Sequence, residues 1–415
     1  MNSLVRALVV STFAFAAACS SAGPTAADPA TSSTDTTPTQ NTTGATVDLG
    51  TGTMSPSSTA RAGGIRGEGI GVRTLAHGAA PEAPPGAGTV ITPPPPTTTP
   101  TTTPMPFRGV NLAGGEFGTA IPGTDGVDYQ FPNNGEIDYF VAKGMNTFRI
   151  GFRWERLQPT AYGSFVNAYV SQIDALVAHA TSTSANANVI LNPHNFARYY
   201  GNTVGGALVP NAVFADLWSK LATRFKGNPR VMFNLVNEPN TMPTEQWVSA
   251  ANAAIAAIRA AGAPNTIIVP GNAWTGAFSW YATDYGTANA VAMLNITDPS
   301  NNTIFEVHQY LDGNAAGEVP DCVSTTIGRT RLAPFVKWLR DNGKKGFVGE
   351  FAGGDNATCN AAVSDMLSYM MDSSDVLVGW LWWAAGPYWG DYIFTIEPKG
   401  TSDRPQMALL QPFLF

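Results

Sequence analysis

Between residues 105 and 415 the sequence alternates short apolar runs with amphipathic stretches, eight times over. The apolar runs fall at 107–114, 146–152, 188–194, 231–240, 266–271, 303–310, 345–351 and 376–384. Continuous apolar runs of this length, bounded by Gly, Pro or Asn, read as strands buried on both faces. The stretches between them carry apolar residues at helical spacing. Ile137, Phe140 and Val141 do so before a stop at Gly144, and Trp247, Val248, Ala251, Ile255 and Ile258 do so along 244–261. Further helices are expected near 166–180, 213–225, 331–340 and 361–371, with a short last one reaching Leu410. Strand–helix alternation repeated eight times predicts an α/β chain folded as a (β/α)8 TIM barrel. A doubly wound open sheet is the alternative. The lack of a Gly-rich phosphate turn after an early strand argues against it.

In a barrel of parallel strands, chemistry is done at the carboxyl ends. The fourth run opens with Val231 and ends abruptly in Asn237-Glu238-Pro239; the seventh ends in Glu350. Two strands that each deliver one Glu at the tip suggest the carboxylate pair that cleavage of a glycosidic bond requires. Composition points the same way. Charged residues make up only 13% of the chain and the net charge is −7, which argues against a nucleic-acid footprint of clustered Lys and Arg. Ten Trp, 12 Tyr and 21 Phe supply flat apolar faces that suit sugar rings as well as cores.

The first 104 residues have a different character. Residues 1–19 read as a signal peptide, with Arg6 in the basic region and an apolar segment at 7–18 too short to span a bilayer as a stable anchor. The tail Ala16-Ala17-Ala18-Cys19-Ser20 resembles a bacterial lipobox with Cys19 as the lipidation candidate, although Ala16 stands where Leu is usual; ordinary signal-peptidase cleavage is the alternative. Either way an exported protein is expected, secreted or held at the surface of a bacterium. Residues 20–104 are low complexity, rich in Thr, Ser, Pro, Ala and Gly, and are expected to be a disordered spacer with a stiff 93–103 segment. His77, within it, carries no chemistry. With Cys19 in the signal, only Cys322 and Cys359 remain to pair. In an exported protein a Cys322–Cys359 disulfide is expected; two buried thiols are the alternative.

The order of several residues resembles glycoside hydrolase family five. Arg149 lies in strand two, His194-Asn195 after strand three, and Asn237-Glu238-Pro239 after strand four. His308-Gln-Tyr310 follows in strand six, Glu350 ends strand seven, and Trp383 lies in strand eight. The flanking text is similar to a subgroup of secreted endo-β-1,4-glucanases. It includes 108–113, Pro193-His-Asn-Phe-Ala-Arg198, Pro270-Gly-Asn-Ala-Trp274 and 307–312. The likeness covers the catalytic domain, 105–415, and none of the tether. It implies retaining hydrolysis with Glu238 as acid/base and Glu350 as nucleophile, their carboxyl groups about 5–5.5 Å apart. Arg149 and Tyr310 are expected to hold Glu350 ionised, and Asn237 to bond the sugar 2-hydroxyl. His194 and His308, lacking metal-like spacing, are expected to bond sugar hydroxyls or orient a Glu. Trp383 offers a face beneath the ring beside the scissile bond, with Trp274 and Trp389 stacking in outer subsites.

The resemblance implies no metal and no cofactor, and as partner a β-glucan polysaccharide such as cellulose. No nucleic acid is expected, and membrane contact only through an N-terminal lipid anchor. A monomer is the default for an enzyme working on an insoluble polymer. Mannan, xyloglucan or mixed-linkage glucan are rival substrates, since loops decide specificity. A non-catalytic glucan-binding surface protein is the rival of another class, and would be expected to have lost one Glu. Other residues read as structural: His179 in mid-helix, the loop acids Asp312, Asp355 and Glu397, and Trp382; alternation lets only one of Trp382 and Trp383 point inward, and the resemblance makes that Trp383, leaving Trp382 under a helix. Glu306 shares a strand face with Tyr310 as a third carboxylate near the barrel floor, and the resemblance gives it no role.

Overall fold

The structure is a computed structural model that describes residues 104–415. Residues 1–103, on which the expected signal with Cys19 and the expected spacer with His77 fall, lie outside the described residues.

Eight parallel strands close into a barrel in sequence order. They are β1 Phe107–Leu112, β2 Thr147–Phe152, β3 Asn188–Pro193, β4 Val231–Asn234, β5 Ile267–Pro270, β6 Thr303–His308, β7 Gly346–Phe351 and β8 Leu377–Ala385. Every residue of β2, β4, β5 and β7 is buried, as expected of strands with helices outside and packed side chains within. The crossover helices are α1 Asn134–Ala142, α2 Trp154–Leu157, α3 Asn167–Thr183, α4 Asn211–Phe225, α5 Thr244–Ala260, α6 Asn289–Ala292, α7 Ile327–Asp341 and α8 Ala357–Asp372. A last helix, α9 Pro405–Leu410, follows β8. Local chemistry sets several ends. Asn133 and Glu136 form a reciprocal capping box at the start of α1, Asn356 caps α8, and Pro405 opens α9.

Three features depart from the sequence reading. A two-stranded hairpin, Arg198–Tyr199 with Asn202–Thr203, stands on the loop after β3 and is too short to show as an apolar run. Strand β4 stops at Asn234, so Glu238 is not its last residue but lies on the loop beyond, and Tyr310 likewise falls two residues past β6. At Glu238 the backbone turns to φ +42°, and Pro239 can donate no ladder bond. Asp312 is not a free loop acid either: it is buried, and its carboxylate accepts from the Gly317 and Glu318 amides.

The barrel interior is tiered. Ile190, Met232, Ile268, Ile304, Phe347 and Leu381 form a separate apolar cluster low in the barrel. Two residues further along the same strands, on the same face, stand Asn192, Asn234 and Glu306, joined by Asn111 and Arg149. The apolar tier seals the base, and the polar tier above it is the floor of the open end.

Cys322 and Cys359 are joined in a disulfide that spans 37 residues and ties the loop after β6 to α8. Closing a loop of 37 residues restricts the unfolded chain by an amount worth ~3–4 kcal/mol. The Cys322→Ser, Cys359→Ser double variant is expected to fold and to lose several degrees of thermal midpoint by calorimetry. An unchanged midpoint would remove the disulfide's stabilising role.

Candidate active site

Arg149 rises from β2 into the polar tier and is 1% exposed. Its Nη1 donates to Glu350 Oε1 at 2.7 Å and to Asn111 Oδ1 at 2.8 Å, its Nη2 to Asn237 Oδ1 at 2.7 Å, and its Nε to Asn234 Oδ1 at 3.0 Å. Asn111 is itself fixed by donating to the Gly349 and Trp382 carbonyls. A buried guanidinium with this many fixed acceptors is a rigid, permanently charged base for the site. The Tyr310 hydroxyl donates to Glu350 Oε2 at 2.8 Å, so both nucleophile-candidate oxygens are held by donors. Burial, Glu350's charge and that hydrogen bond push the Tyr310 phenol well above its ordinary range, so it stays a neutral donor.

Strict alternation along β7 would not aim Glu350 inward, because Phe347 and Gly349 already occupy the inner face. The pairing of β6 with β7 shifts register between Val307 and His308, bringing His308 opposite Glu350. Such an irregularity re-aims one side chain at a strand tip.

Glu238 leans over this floor. His308 Nδ1 lies 2.7 Å from Glu238 Oε1 and 3.5 Å from Glu350 Oε2, and facing oxygens of the two carboxylates lie within 4.8 Å of each other. Glu350 is nearly closed off, with 4% of its side chain exposed, while Glu238 keeps 16% toward the mouth. Burial raises the Glu238 pKa, the His308 hydrogen bond and charge work against that, and the Glu350 charge adds to it; the net shift is upward. Burial alone would neutralise His308, but Glu350, Glu238 and Glu306 surround it and lift its pKa to about 10. His194 goes the other way: burial, then the Arg149 and His308 charges, push it well below its usual value, so its ring is neutral.

Among the described residues, Glu238, His308 and Glu350 are the one set whose spacing suits a cation. Their facing atoms are already committed to one another and to Tyr310, which makes the trio a hydrogen-bonded set rather than open ligands.

Around the mouth, the Trp383 ring sits 5.5 Å from His194 and 5.6 Å from Trp389. Trp389 also meets Phe117 and stacks on Tyr392 at 4.4 Å, so it buttresses Trp383. Trp274, 46% exposed, stands apart with Tyr285, and its amide donates to the Pro239 carbonyl on the loop that carries Glu238. Trp382 packs outside the barrel against Phe351 and donates to the Phe394 carbonyl, as the resemblance implies. His179 pairs with Asp138 on the outer surface, far in character from the site.

The sequence reading missed three members. Asn111 and Asn234 orient Arg149, and neither stands out in a strand text. Glu116, on the loop after β1, is buried with its pKa raised to about 7, chiefly by burial, and rests against Gly151, where a Cβ would come within 2.6 Å of its carboxyl. A glycine two residues after Arg149 was the available signal.

A parallel eight-stranded barrel whose open end presents two close carboxylates over an arginine floor, flanked by tryptophan, is the site of a glycoside hydrolase. The chain belongs to glycosyl hydrolase family 5, whose cellulase model matches residues 101–386. Endo-beta-1,4-glucanase B of Aspergillus niger is 42% identical over 308 residues, spanning 74% of this chain and 89% of its own length. The structure of XacCel5A in complex with cellopentaose superposes with TM-score 0.73 at 45% identity, over 74% of this chain and 99% of that one. The endo-beta-1,4-glucanase Xac0029 from Xanthomonas axonopodis pv. citri gives TM-score 0.73 at 46% identity, over 74% and 98%.

Proposed function

We propose that this chain is an endo-β-1,4-glucanase that hydrolyses internal bonds of a β-glucan with net retention, Glu350 acting as nucleophile and Glu238 as acid/base. The observation that carries this reading is the separation of the two carboxylates. Facing oxygens within 4.8 Å fit the separation of about 5–5.5 Å kept by retaining enzymes better than the ~6.5–9.5 Å of inverting ones. The names of the relatives support the glucan; the asymmetry of the two environments supports the roles. Glu350 accepts from the Arg149 guanidinium and the Tyr310 hydroxyl, surroundings that suit an attacking carboxylate, while Glu238 lies nearer the mouth with a raised pKa, which suits a proton donor.

In the first step a Glu350 oxygen attacks the anomeric carbon as Glu238 gives its proton to the glycosidic oxygen. The C1–O bond breaks, the leaving chain departs as an alcohol, and a glycosyl ester to Glu350 remains. In the second step the Glu238 carboxylate takes a proton from water, whose oxygen attacks C1 and expels Glu350. Two inversions restore the β configuration. Asn237 has its Oδ1 taken by Arg149, which orients its Nδ2 as a donor for the sugar 2-hydroxyl. Trp383 supplies the stacking face under the ring beside the scissile bond, with Trp389 behind it and Trp274 further along the groove.

The same reading includes export, with a signal at 1–19, a low-complexity tether at 20–104 ending in Pro104, and the catalytic domain at 105–415. The Cys322–Cys359 bridge supports it, since such bridges persist in oxidising compartments. A Cys19-linked lipid would hold the tether to a membrane.

Proton NMR of fresh digests should show the β-anomer of the new reducing end first, with mutarotation following, and carboxymethyl cellulose should lose viscosity early. An α-anomer at first appearance overturns the double displacement. Turnover of mannan with none of β-1,4-glucan overturns the substrate.

A further inference from the structure

Glu306 is a buried acid, 1% exposed, that the two-step reaction leaves unused. It lies one turn of the strand alternation below His308 on β6, on the same inner face. Its Oε2 accepts from Asn234 Nδ2 at 2.6 Å. Its Oε1 has no hydrogen-bond partner, and neither has His308 Nε2, yet these two buried atoms face each other at 3.5 Å. Unpaired buried polar atoms are costly, and two of opposite character left facing each other are explained as one proton-sharing contact at a slightly long separation. The neighbouring strand makes room for it. A Cβ on Gly349 would come within 2.0 Å of Glu306 Oε1, so no side chain fits at the residue before Glu350. Arg149 Nε stands 3.9 Å away and, through Asn234, links the same carboxylate to the floor of the nucleophile.

We propose that Glu306 is a positioning residue that acts through His308. It holds the imidazole as a doubly protonated cation, with Nε2–H toward Glu306 and Nδ1–H donated to Glu238 Oε1. The other Glu238 oxygen then carries the acid proton to the leaving group. The proposal rests on the reading of Glu238 as the acid. Without the lower anion a neutral ring would offer Nδ1 as an acceptor, and the Glu238 proton would turn inward to His308 instead of toward the substrate. The charged groups around His308 fit this. Glu238 faces it from the loop after β4, Glu350 from β7, Arg149 from β2 and His194 from the loop after β3, with Glu306 and Tyr310 on its own chain segment. With Glu238 protonated, two cations, Arg149 and His308, balance two anions, Glu306 and Glu350. Burial would push Glu306 toward the neutral form, but Arg149 and His308 outweigh it and hold its pKa below the ordinary carboxylate value.

The test combines ring-nitrogen NMR of the ¹⁵N-labelled full chain with leaving-group kinetics. Only four histidines are present, and His308 is identified by the resonances lost in His308→Asn. Wild type should keep both His308 nitrogens protonated from about pH 5 to 8, where an ordinary imidazole titrates. Glu306→Gln should give up one of those protons within that window. For the same variant, kcat/KM on a 4-nitrophenyl cellobioside should fall ~100-fold, the scale of general-acid assistance. On the 2,4-dinitrophenyl analogue, whose leaving group needs no proton, it should fall less than about threefold. Equal losses on both substrates overturn the proposal, as that is what a merely structural role gives. A ring that stays charged in Glu306→Gln overturns it too. So does a wild-type His308 that titrates at its ordinary value, a result that needs no variant to fold. Failure of the glucanase reading would look different: wild type would cleave no β-1,4-glucan, whatever the imidazole does.

Discussion

Glu350→Ala is expected to abolish turnover of carboxymethyl cellulose, lowering kcat by about four to six orders of magnitude, as loss of a covalent nucleophile does elsewhere. The reason is local. The neighbouring oxygens cannot take its place: Tyr310 is held neutral, and Glu306 lies a tier lower, locked to Asn234. Removal also strips the buried Arg149 Nη1 of an acceptor and leaves a hole beside it, so a stability loss of ~3–5 kcal/mol is expected beside the kinetic one. Glu350→Gln, which keeps an acceptor for Arg149 Nη1, separates the two effects. It should fold close to wild type and remain inactive. The alanine variant offers a sharper check. Its empty space lies between the Arg149 guanidinium and the Tyr310 hydroxyl, a pocket suited to a small anion. Azide with a dinitrophenyl cellobioside should therefore yield the α-glycosyl azide, a single inversion. Wild-type-like turnover, or a β-azide, would show that Glu350 does not attack.

Much of this site was readable from residue order because barrel strands are buried on both sides and their tips are few. The apolar run leading to Glu238-Pro239 marked the fourth strand, although the strand itself stops at Asn234, and Glu350 sits near the end of the seventh; the barrel then dictated that both open on one mouth. What the text could not carry was orientation. Alternation places Phe347 and Gly349 inward and would turn Glu350 outward, and only the register shift between Val307 and His308 corrects this. Glu238 depends on a left-handed backbone residue four positions past the end of β4, which no periodicity reports. The floor was also hidden. Asn111 and Asn234 are ordinary polar interruptions in strands until Arg149 is seen to need their oxygens. Gly349 and Gly151 were weak signals of the opposite kind, gaps in strands that mark where Glu306 and Glu116 come close.

Glu238→Ala should divide substrates rather than stop them. Protonation of a sugar leaving group is worth about 10²–10⁴-fold, so hydrolysis of cellulosic substrates is expected to fall by that factor. The first step on a dinitrophenyl cellobioside, whose phenolate leaves unaided, should keep a kcat/KM close to wild type. The second step still needs a base to take the proton from water, so the ester on Glu350 should accumulate, seen as a burst of dinitrophenolate and as an added mass on the intact protein. The pH profile gives an independent reading with a definite sign. With Glu238 as the proposed acid, the protonated form is the active one, and burial with the Glu350 charge raises its pKa against the pull of His308 and Arg149. Activity on cellulose should therefore persist above the ordinary glutamate range and be lost as pH rises through that raised value. In Glu238→Ala the alkaline loss should disappear from kcat/KM on the activated substrate, because no proton remains to be given. An alkaline limb at the wild-type position in the variant would assign the acid to another group. Azide now enters from the leaving-group side, where a carboxylate has been removed and His308 presents its Nδ1. The product should be the β-azide, opposite in configuration to that of Glu350→Ala, so that two single substitutions report the two faces of one sugar.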